Sequence, residues 1–140
     1  MKKTTYLISL LMFISFFNTC GQIGNHEHKE VESMNLNSIK NNIVKQAFEA
    51  WQQGDSKLWF SFFTNDAQLY DDGKLRDFNN FSTNAIGEEW FTSLDKVENE
   101  GLSIYRKIHT KKWGDFKTYF KFYINDKEKI YRLEIGQADY

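Results

Sequence analysis

Apolar positions along the chain follow two different periods. Between residues 38 and 63, apolar side chains recur every three or four positions, which is the period of an amphipathic helix. Ser38 is the predicted N-cap of a first helix that Gly54 ends, and Asp55 is the predicted N-cap of a second. The stripe positions are Ile39, Ile43, Val44, Ala47, Phe48 and Trp51 in the first helix, and Leu58, Trp59, Phe62 and Phe63 in the second.

The second half of the chain alternates apolar and polar residues instead, as strands with one buried face do. Four such segments cover residues 90–98, 102–113, 116–124 and 129–138. Between the helical and the alternating parts, Asp72-Gly73 predicts a hairpin turn. Thr64-Asn65-Asp66 is expected to end the second helix, and Ser82 is the predicted N-cap of a short third helix that stops near Gly87. The order predicts an α+β fold.

Turn residues predict the pairing of the last two strands. With Asp126-Lys127 as a two-residue loop, Phe122 faces Tyr131 and Phe120 faces Leu133. The same register places Thr118 opposite Ile135, and Phe116 opposite Gln137. The opposite face then carries Lys117, Tyr119, Lys121, Arg132 and Glu134, so that one face is apolar and the other charged.

Gly114-Asp115 is taken as the turn before these strands, of type II′ with positive φ at Gly114. In this register His109 faces Phe120, and Tyr105 and Trp113 lie on the same inward face. The same parity sends Lys107 and Lys111 inward, a conflict that a β-bulge would resolve.

The first twenty residues contain a targeting signal. Lys2 and Lys3 precede an apolar run over residues 6–17, which is too short to span a bilayer and typical of a signal peptide. The run ends at Cys20, the only cysteine of the chain. This arrangement resembles a bacterial lipoprotein signal, in which the cysteine carries diacylglycerol. We therefore expect a signal peptide at 1–19, lipidation at Cys20, and a membrane-anchored protein of the bacterial cell envelope, on the periplasmic or the outer-membrane side.

Composition narrows the remaining possibilities. Residues 20–37 are polar and aperiodic and predict a disordered tether, which leaves 38–140 as one domain. The formal net charge of -1 argues against nucleic acid as a partner, because phosphate binding needs clustered Lys and Arg. His26 and His28 supply only two of the four ligands that a closed zinc site takes. No nucleotide-binding or metal motif occurs, so neither a cofactor nor a metal is expected.

The element order, together with residues 47–55, 71–78, 113–124 and 132–139, resembles the nuclear transport factor 2-like (NTF2-like, SnoaL-like) superfamily. The resemblance covers residues 38–138. It implies a cone, in which a strongly curved antiparallel sheet wraps around N-terminal helices and leaves a cavity at the wide end. It also implies that a homodimer can form through the outer face of the sheet.

Candidate site residues follow from this picture. His109 is the only histidine of the domain, and its ordinary pKa suits acid–base chemistry. Asp71, Asp72 and Glu134 are the acidic alternatives. The predicted ligand-binding set is Trp59, Tyr70, Trp90, Tyr105, His109, Trp113 and Gln137.

Two main functions compete. An aromatic-rich body without a convergent polar triad favours a non-catalytic domain that binds a small apolar or amphipathic ligand, or a protein partner. The alternative is a small isomerase, dehydratase or cyclase that uses His109 or an interior carboxylate as general base. A stabilising or immunity-type partner of another envelope protein is a third hypothesis.

Overall fold

A computed structural model describes residues 34–140 of the chain. The predicted signal peptide, Cys20 and most of the predicted tether lie outside the described residues. This part of the chain contains three α-helices, α1 (Asn42–Gln53), α2 (Ser56–Ser61) and α3 (Phe78–Ala85), with short 3₁₀ helices at Leu36–Ser38 and Asn99–Gly101. Within residues 34–140, no helix is long and apolar enough to cross a membrane.

Side-chain caps set the helix boundaries. Asn41, not Ser38, caps α1, because its Oδ1 accepts the backbone N–H groups of both Ile43 and Val44. The predicted end at Gly54 is confirmed, with φ at 72° in the left-handed region. The predicted cap of α2 is confirmed as well, since the Asp55 carboxylate accepts the N–H of Leu58 at 2.9 Å.

The third helix begins earlier than predicted. Asp77 is its N-cap, and Ser82 lies inside the helix. The Ser82 hydroxyl accepts the indole N–H of Trp59 at 3.1 Å, so this serine ties α3 to α2 instead of starting a helix.

Seven strands form one sheet. They are β1 (Phe63–Asp71), β2 (Lys74–Arg76), β3 (Glu89–Phe91), β4 (Lys96–Glu98), β5 (Ser103–Thr110), β6 (Gly114–Ile124) and β7 (Ile130–Gln137). The order is β2-β1-β7-β6-β5-β3, with β4 also pairing with β5. Every pair is antiparallel except β1 with β7, so the sheet is mixed and not purely antiparallel as expected. Residues 64–66, expected only to end α2, belong to β1, and the predicted strand 90–98 is divided into β3 and β4.

The helices lie against the inner face of this curved sheet, which gives the predicted α+β, cone-like fold. Phe48 of α1 stacks on Phe91 with ring centroids 4.8 Å apart, and Trp51 contacts Trp59 at 4.9 Å. From the sheet, the core receives buried side chains that alternate along each strand: Leu69, Ile104, Ile108, Phe120, Phe122, Leu133 and Ile135.

The predicted faces of the last hairpin are correct except at Tyr131, but its register is displaced. Phe122 pairs with Leu133 and Phe120 with Ile135, two positions from the expected partners. Tyr123 pairs with Arg132, and the next residue, Ile124, pairs with Ile130. A β-bulge between these two pairs leaves Tyr131 as the extra residue of β7. Tyr131 consequently lies beside Tyr123 and not on the inner face.

The predicted β5–β6 register is wrong. The loop between them is longer than two residues and contains Lys111, Lys112 and Trp113, and the Thr110 hydroxyl accepts the N–H of Trp113 within it. Gly114 has the predicted positive φ, at 78°, but begins β6 opposite Thr110.

The register error also reverses the faces of β5. His109 pairs with Asp115 instead of Phe120, and a shift by an odd number of positions exchanges the two faces of a strand. The inner face of β5 carries Ile104, Arg106, Ile108 and Thr110, all of them buried, while Lys107 is exposed on the outer face. The lysine conflict in the predicted register therefore disappears.

Candidate functional site

Two adjoining chambers form a cavity between α3, the ends of β1 and β3, and the β5–β6 loop. The outer chamber has a volume of about 460 Å³ and the inner chamber about 200 Å³. Four residues line both chambers, namely Asp71, Phe81, Glu89 and Trp113. The volume lies within the range of small-molecule sites.

Most of the wall is apolar. In the inner chamber it consists of side chains from the inner face of the sheet: Ile108, Phe116, Phe120 and Ile135. Phe81 and Ala85 of α3 close the opposite side of the outer chamber. Trp113 is 67% exposed at the entrance, so an indole ring lies where a ligand would enter.

Glu89 is the polar group that both chambers share with Asp71. It is the first residue of β3, which is fixed to α1 by three hydrogen bonds. The indole N–H of Trp51 donates to the Glu89 carbonyl at 3.1 Å, and the Gln52 amide bonds both the N–H and the carbonyl of Phe91. This clamp holds the Glu89 backbone at the cavity while leaving its carboxyl free.

The carboxyl of Glu89 has an unusual environment. Within residues 34–140, it accepts no side-chain hydrogen bond and forms no ion pair. Burial, and secondarily the charge of Asp71, raises the pKa of Glu89 to about 7. A carboxyl with this pKa exists in both protonation states near neutral pH, so it can donate or accept a hydrogen bond, or exchange a proton.

Asp71 is the second carboxyl at this place. Burial and then the neighbouring Asp72 raise its pKa, against the opposing charge of Arg76, whose Nε is 3.7 Å from the carboxylate. Asp72 itself is engaged in the fold, because its carboxylate accepts the N–H of Gln137 at 3.1 Å. Asp71 and Glu89 are therefore the two carboxyls available to a ligand.

Charged groups at the entrance are mostly paired. Lys111 Nζ lies 2.8 Å from the carboxylate of Glu88, and Lys112 Nζ lies 4.7 Å from the centre of the Trp113 ring. These contacts keep both ammonium groups at the outer chamber, and neither residue lines the inner one.

Two of the seven predicted ligand-binding residues line this cavity. Trp113 lies at both chambers and Gln137 at the inner one. Trp59 is buried in the core, and Tyr70 lies beneath the Arg132 guanidinium, 4.3 Å from its ring centre. Neither of these two lines either chamber.

The predicted inward position is wrong for Tyr105 and His109. Trp90 pairs with His109 and lies on the same outer face. His109 Nδ1 is 2.6 Å from the Asp115 carboxylate, and its ring lies over Trp90 with centroids 4.5 Å apart. Tyr105 contacts Tyr140. Whether any of these residues contacts a ligand stays a prediction.

Of the acidic alternatives, Asp71 and Asp72 line the cavity and Glu134 does not. Glu134 lies opposite Lys121 on the outer face and bonds to Arg132. Sequence reasoning missed Glu89. The available signal was a glutamate at the start of an otherwise aromatic strand segment, because glutamate is depleted in strands. No group of three or more metal-ligating residues occurs among residues 34–140.

Arg106 is a second unusual charge, and it lies outside the cavity. Its side chain is fully buried on the inner face of β5, and none of its guanidinium nitrogens has a hydrogen-bond partner within residues 34–140. It packs against aromatic rings, including Phe48 at 3.7 Å from the ring centre. Burial lowers the pKa of Arg106 well below its usual value.

Comparisons with known proteins identify the fold. No known family matches the sequence, and no curated protein matches it. Among solved structures, an NTF2-like protein of unknown function from Cytophaga hutchinsonii is similar with a TM-score of 0.56 and 9% identity, over 69% of this chain and 87% of that one. A candidate polyketide cyclase from Sinorhizobium meliloti has a TM-score of 0.55 and 22% identity, over 68% and 94%.

A third similar structure is the Anabaena orange carotenoid protein binding canthaxanthin. Its TM-score is 0.56 and its identity 15%, over 70% of this chain but only 36% of that one. At these identities the similarity shows the fold and not the activity. The chain therefore contains a domain with the NTF2-like fold that its sequence resembles.

Proposed function

We propose that this domain binds a small, largely apolar or amphipathic molecule in the two-chamber cavity. The observation that carries the proposal is an apolar cavity in which Glu89, a carboxyl unpaired within residues 34–140, lines both chambers and has its backbone fixed by the clamp between α1 and β3. Binding sites for small molecules have this composition, because apolar walls supply affinity and a few polar groups fix orientation.

The similar structures support a ligand-binding role. One of them, matched over 36% of its chain, binds canthaxanthin, and others are candidate polyketide cyclases. The fold therefore occurs in a protein that binds an organic ligand and in candidate enzymes for organic substrates.

Native mass spectrometry of the protein purified from its own host tests the proposal. We expect a small molecule to remain bound to the wild-type protein. Asn84→Trp, which places an indole in the outer chamber, should remove the bound mass. Asn79→Trp is the matched control, since it adds the same side chain to an exposed position of α3 that lines neither chamber. Absence of any bound molecule, or equal retention in both variants, contradicts the proposal.

A second candidate function is proton transfer by Glu89. The pKa of about 7 favours it, because a general base is most effective near the operating pH. A ketone probe such as 2-octanone, incubated in D₂O, would then exchange its α-protons faster with the wild-type protein than with Glu89→Gln. Equal exchange rates for both proteins leave the non-catalytic function.

We further propose that Cys20 anchors the domain to a membrane of the bacterial cell envelope through a lipid. Stable anchoring needs two or more acyl chains, which a lipoprotein cysteine carries. Residues 20–37 would then separate the cavity from the bilayer.

The outer face of the sheet is the proposed surface for a homodimer or for another envelope protein. It carries partly exposed aromatic side chains, including Tyr131 and Tyr140, between charged residues. Analytical ultracentrifugation of residues 34–140 distinguishes a dimer from a monomer.

A further inference from the structure

The charged residues that line the inner chamber are all acidic. Three acidic residues, Asp71, Asp72 and Glu89, are among the residues that line it, and no lysine, arginine or histidine is. The basic side chains near these carboxyls lie outside the inner chamber. Lys111 is paired with Glu88, and Arg76 contacts Asp71 only at 3.7 Å with its side chain largely exposed.

The buried arginine does not compensate this charge. Arg106 lies behind the aromatic rings of the core and lines neither chamber. The groups that favour its charged form are Tyr140 and Asp95, and neither Glu89 nor Asp71 is among them. Within residues 34–140, Glu89 thus faces an apolar space without a protein counter-charge, while Asp71 has the largely exposed Arg76 at 3.7 Å.

The walls around these carboxyls are aromatic. Phe81 and Trp113 line both chambers, and Phe116 and Phe120 line the inner one. Aromatic faces attract cations and do not attract anions, so rings and carboxylates favour the same sign of charge. An anionic group placed here would meet two carboxyls and several ring faces.

We propose that the ligand is an amphipathic cation, an amine or a quaternary ammonium compound, with its charged group in the inner chamber at Glu89 and Asp71. Its apolar part would lie in the outer chamber against Phe81, Ala85 and Trp113. This inference rests on the proposed function and names the chemical class of the ligand.

The sizes of the chambers agree with this division. An inner volume of about 200 Å³ accommodates a small ammonium group with its first carbons, and the outer volume of about 460 Å³ accommodates a chain or ring system. A purely apolar ligand would leave the Glu89 carboxyl in an apolar environment without a partner, which costs free energy.

Isothermal titration calorimetry with three probes of equal chain length tests the charge. The probes are octylamine, octan-1-ol and octanoate. We expect wild-type protein at pH 8 to bind octylamine about tenfold or more tightly than either of the others, since charge-assisted hydrogen bonds are the stronger ones. Equal or tighter binding of octanol or octanoate overturns the cationic class, while the proposed binding function stands. If none of the probes gives a heat of binding, both the cationic class and the proposed binding function are contradicted.

Variants locate the charged group. Glu89→Gln and, independently, Asp71→Asn should each weaken octylamine binding several-fold more than they change octanol binding. Glu98→Gln is the control, because it removes one carboxylate from the exposed ion pair with Lys96 on β4. If neither cavity variant changes the preference for octylamine over octanol, the proposed position of the ammonium group is refuted.

Discussion

Replacing Arg106 by methionine should stabilise the domain. Methionine has nearly the length of the arginine stem and introduces no charge, so it can occupy the same space among the core rings. A buried charge is retained in a protein at low cost only when it is paired and hydrogen-bonded. The guanidinium of Arg106 lacks such bonds within residues 34–140.

The expected size follows from two opposing contributions. Burial of a charged group without hydrogen-bond partners destabilises a protein by several kcal/mol. Contact of the charge with desolvated aromatic rings stabilises it by roughly 2 kcal/mol. Phe48 and Phe91 provide those rings. We expect Arg106→Met to raise the free energy of unfolding by about 2 kcal/mol, which corresponds to a Tm increase of about 8–16 °C for a domain of this size.

Chemical denaturation followed by tryptophan fluorescence measures this change. Arg106→Lys is the matched control: it keeps the positive charge but loses the planar stacking, so we expect it to lower the stability. A loss of about 2 kcal/mol or more in Arg106→Met would show that the guanidinium has a strong partner in solution, and would refute this reasoning.

Three further predictions concern other parts of the chain. Because the folded protein raises the pKa of Glu89 from 4.5 to about 7, it binds this proton more tightly than the unfolded chain, and stability should fall as pH rises between these values. Glu89→Gln should therefore stabilise the protein at pH 8, by about 1–2 kcal/mol after allowance for solvent access, and leave it unchanged at pH 4.5; equal effects in denaturation at both pH values contradict this. Gly101→Ala should cost more stability than Gly114→Ala, although both glycines have positive φ, because only at Gly101 would a Cβ lie 3.0 Å from two backbone nitrogens; equal Tm losses would contradict the close packing. Cys20→Ser should abolish incorporation of a fatty-acid probe and release the protein from membranes, and unchanged labelling would refute the lipoprotein assignment.

Local signals in the sequence predicted the elements well. Three of these signals each depend on a few adjacent residues, and the structure has all three: the end of α1 at Gly54, the cap of α2 at Asp55 and the turn at Asp72-Gly73. The predicted cap of α1, Ser38, was wrong because Asn41 and Ser38 are both good capping residues, and only the tertiary position of Asn41 decides between them.

Register and site were less predictable, because both depend on contacts that are distant in sequence. The predicted register did not include the loop residues Lys111–Trp113. This error assigned the side chains of β5 to the wrong faces, so His109 was predicted on the inner face although it lies on the outer one. The cavity brings together β1, α3, β3 and the β5–β6 loop, so Glu89 had no local motif to mark it. Trp113 was placed inward by a register that the structure contradicts, and it lines the cavity from the β5–β6 loop instead. Gln137 lines the inner chamber from the end of β7.

The most direct test of the account measures the Glu89 carboxyl itself. Selective ¹³C labelling of glutamate allows its carboxyl resonance to be followed by NMR as the pH is varied, with Glu89→Gln providing the assignment. We expect the Glu89 carboxyl to titrate with a midpoint of about pH 7 in the free protein. The midpoint should be lower when octylamine is bound, because a neighbouring cation stabilises the carboxylate. A midpoint near the ordinary value of 4.5, unchanged by octylamine, would contradict both the buried carboxyl and the cationic ligand.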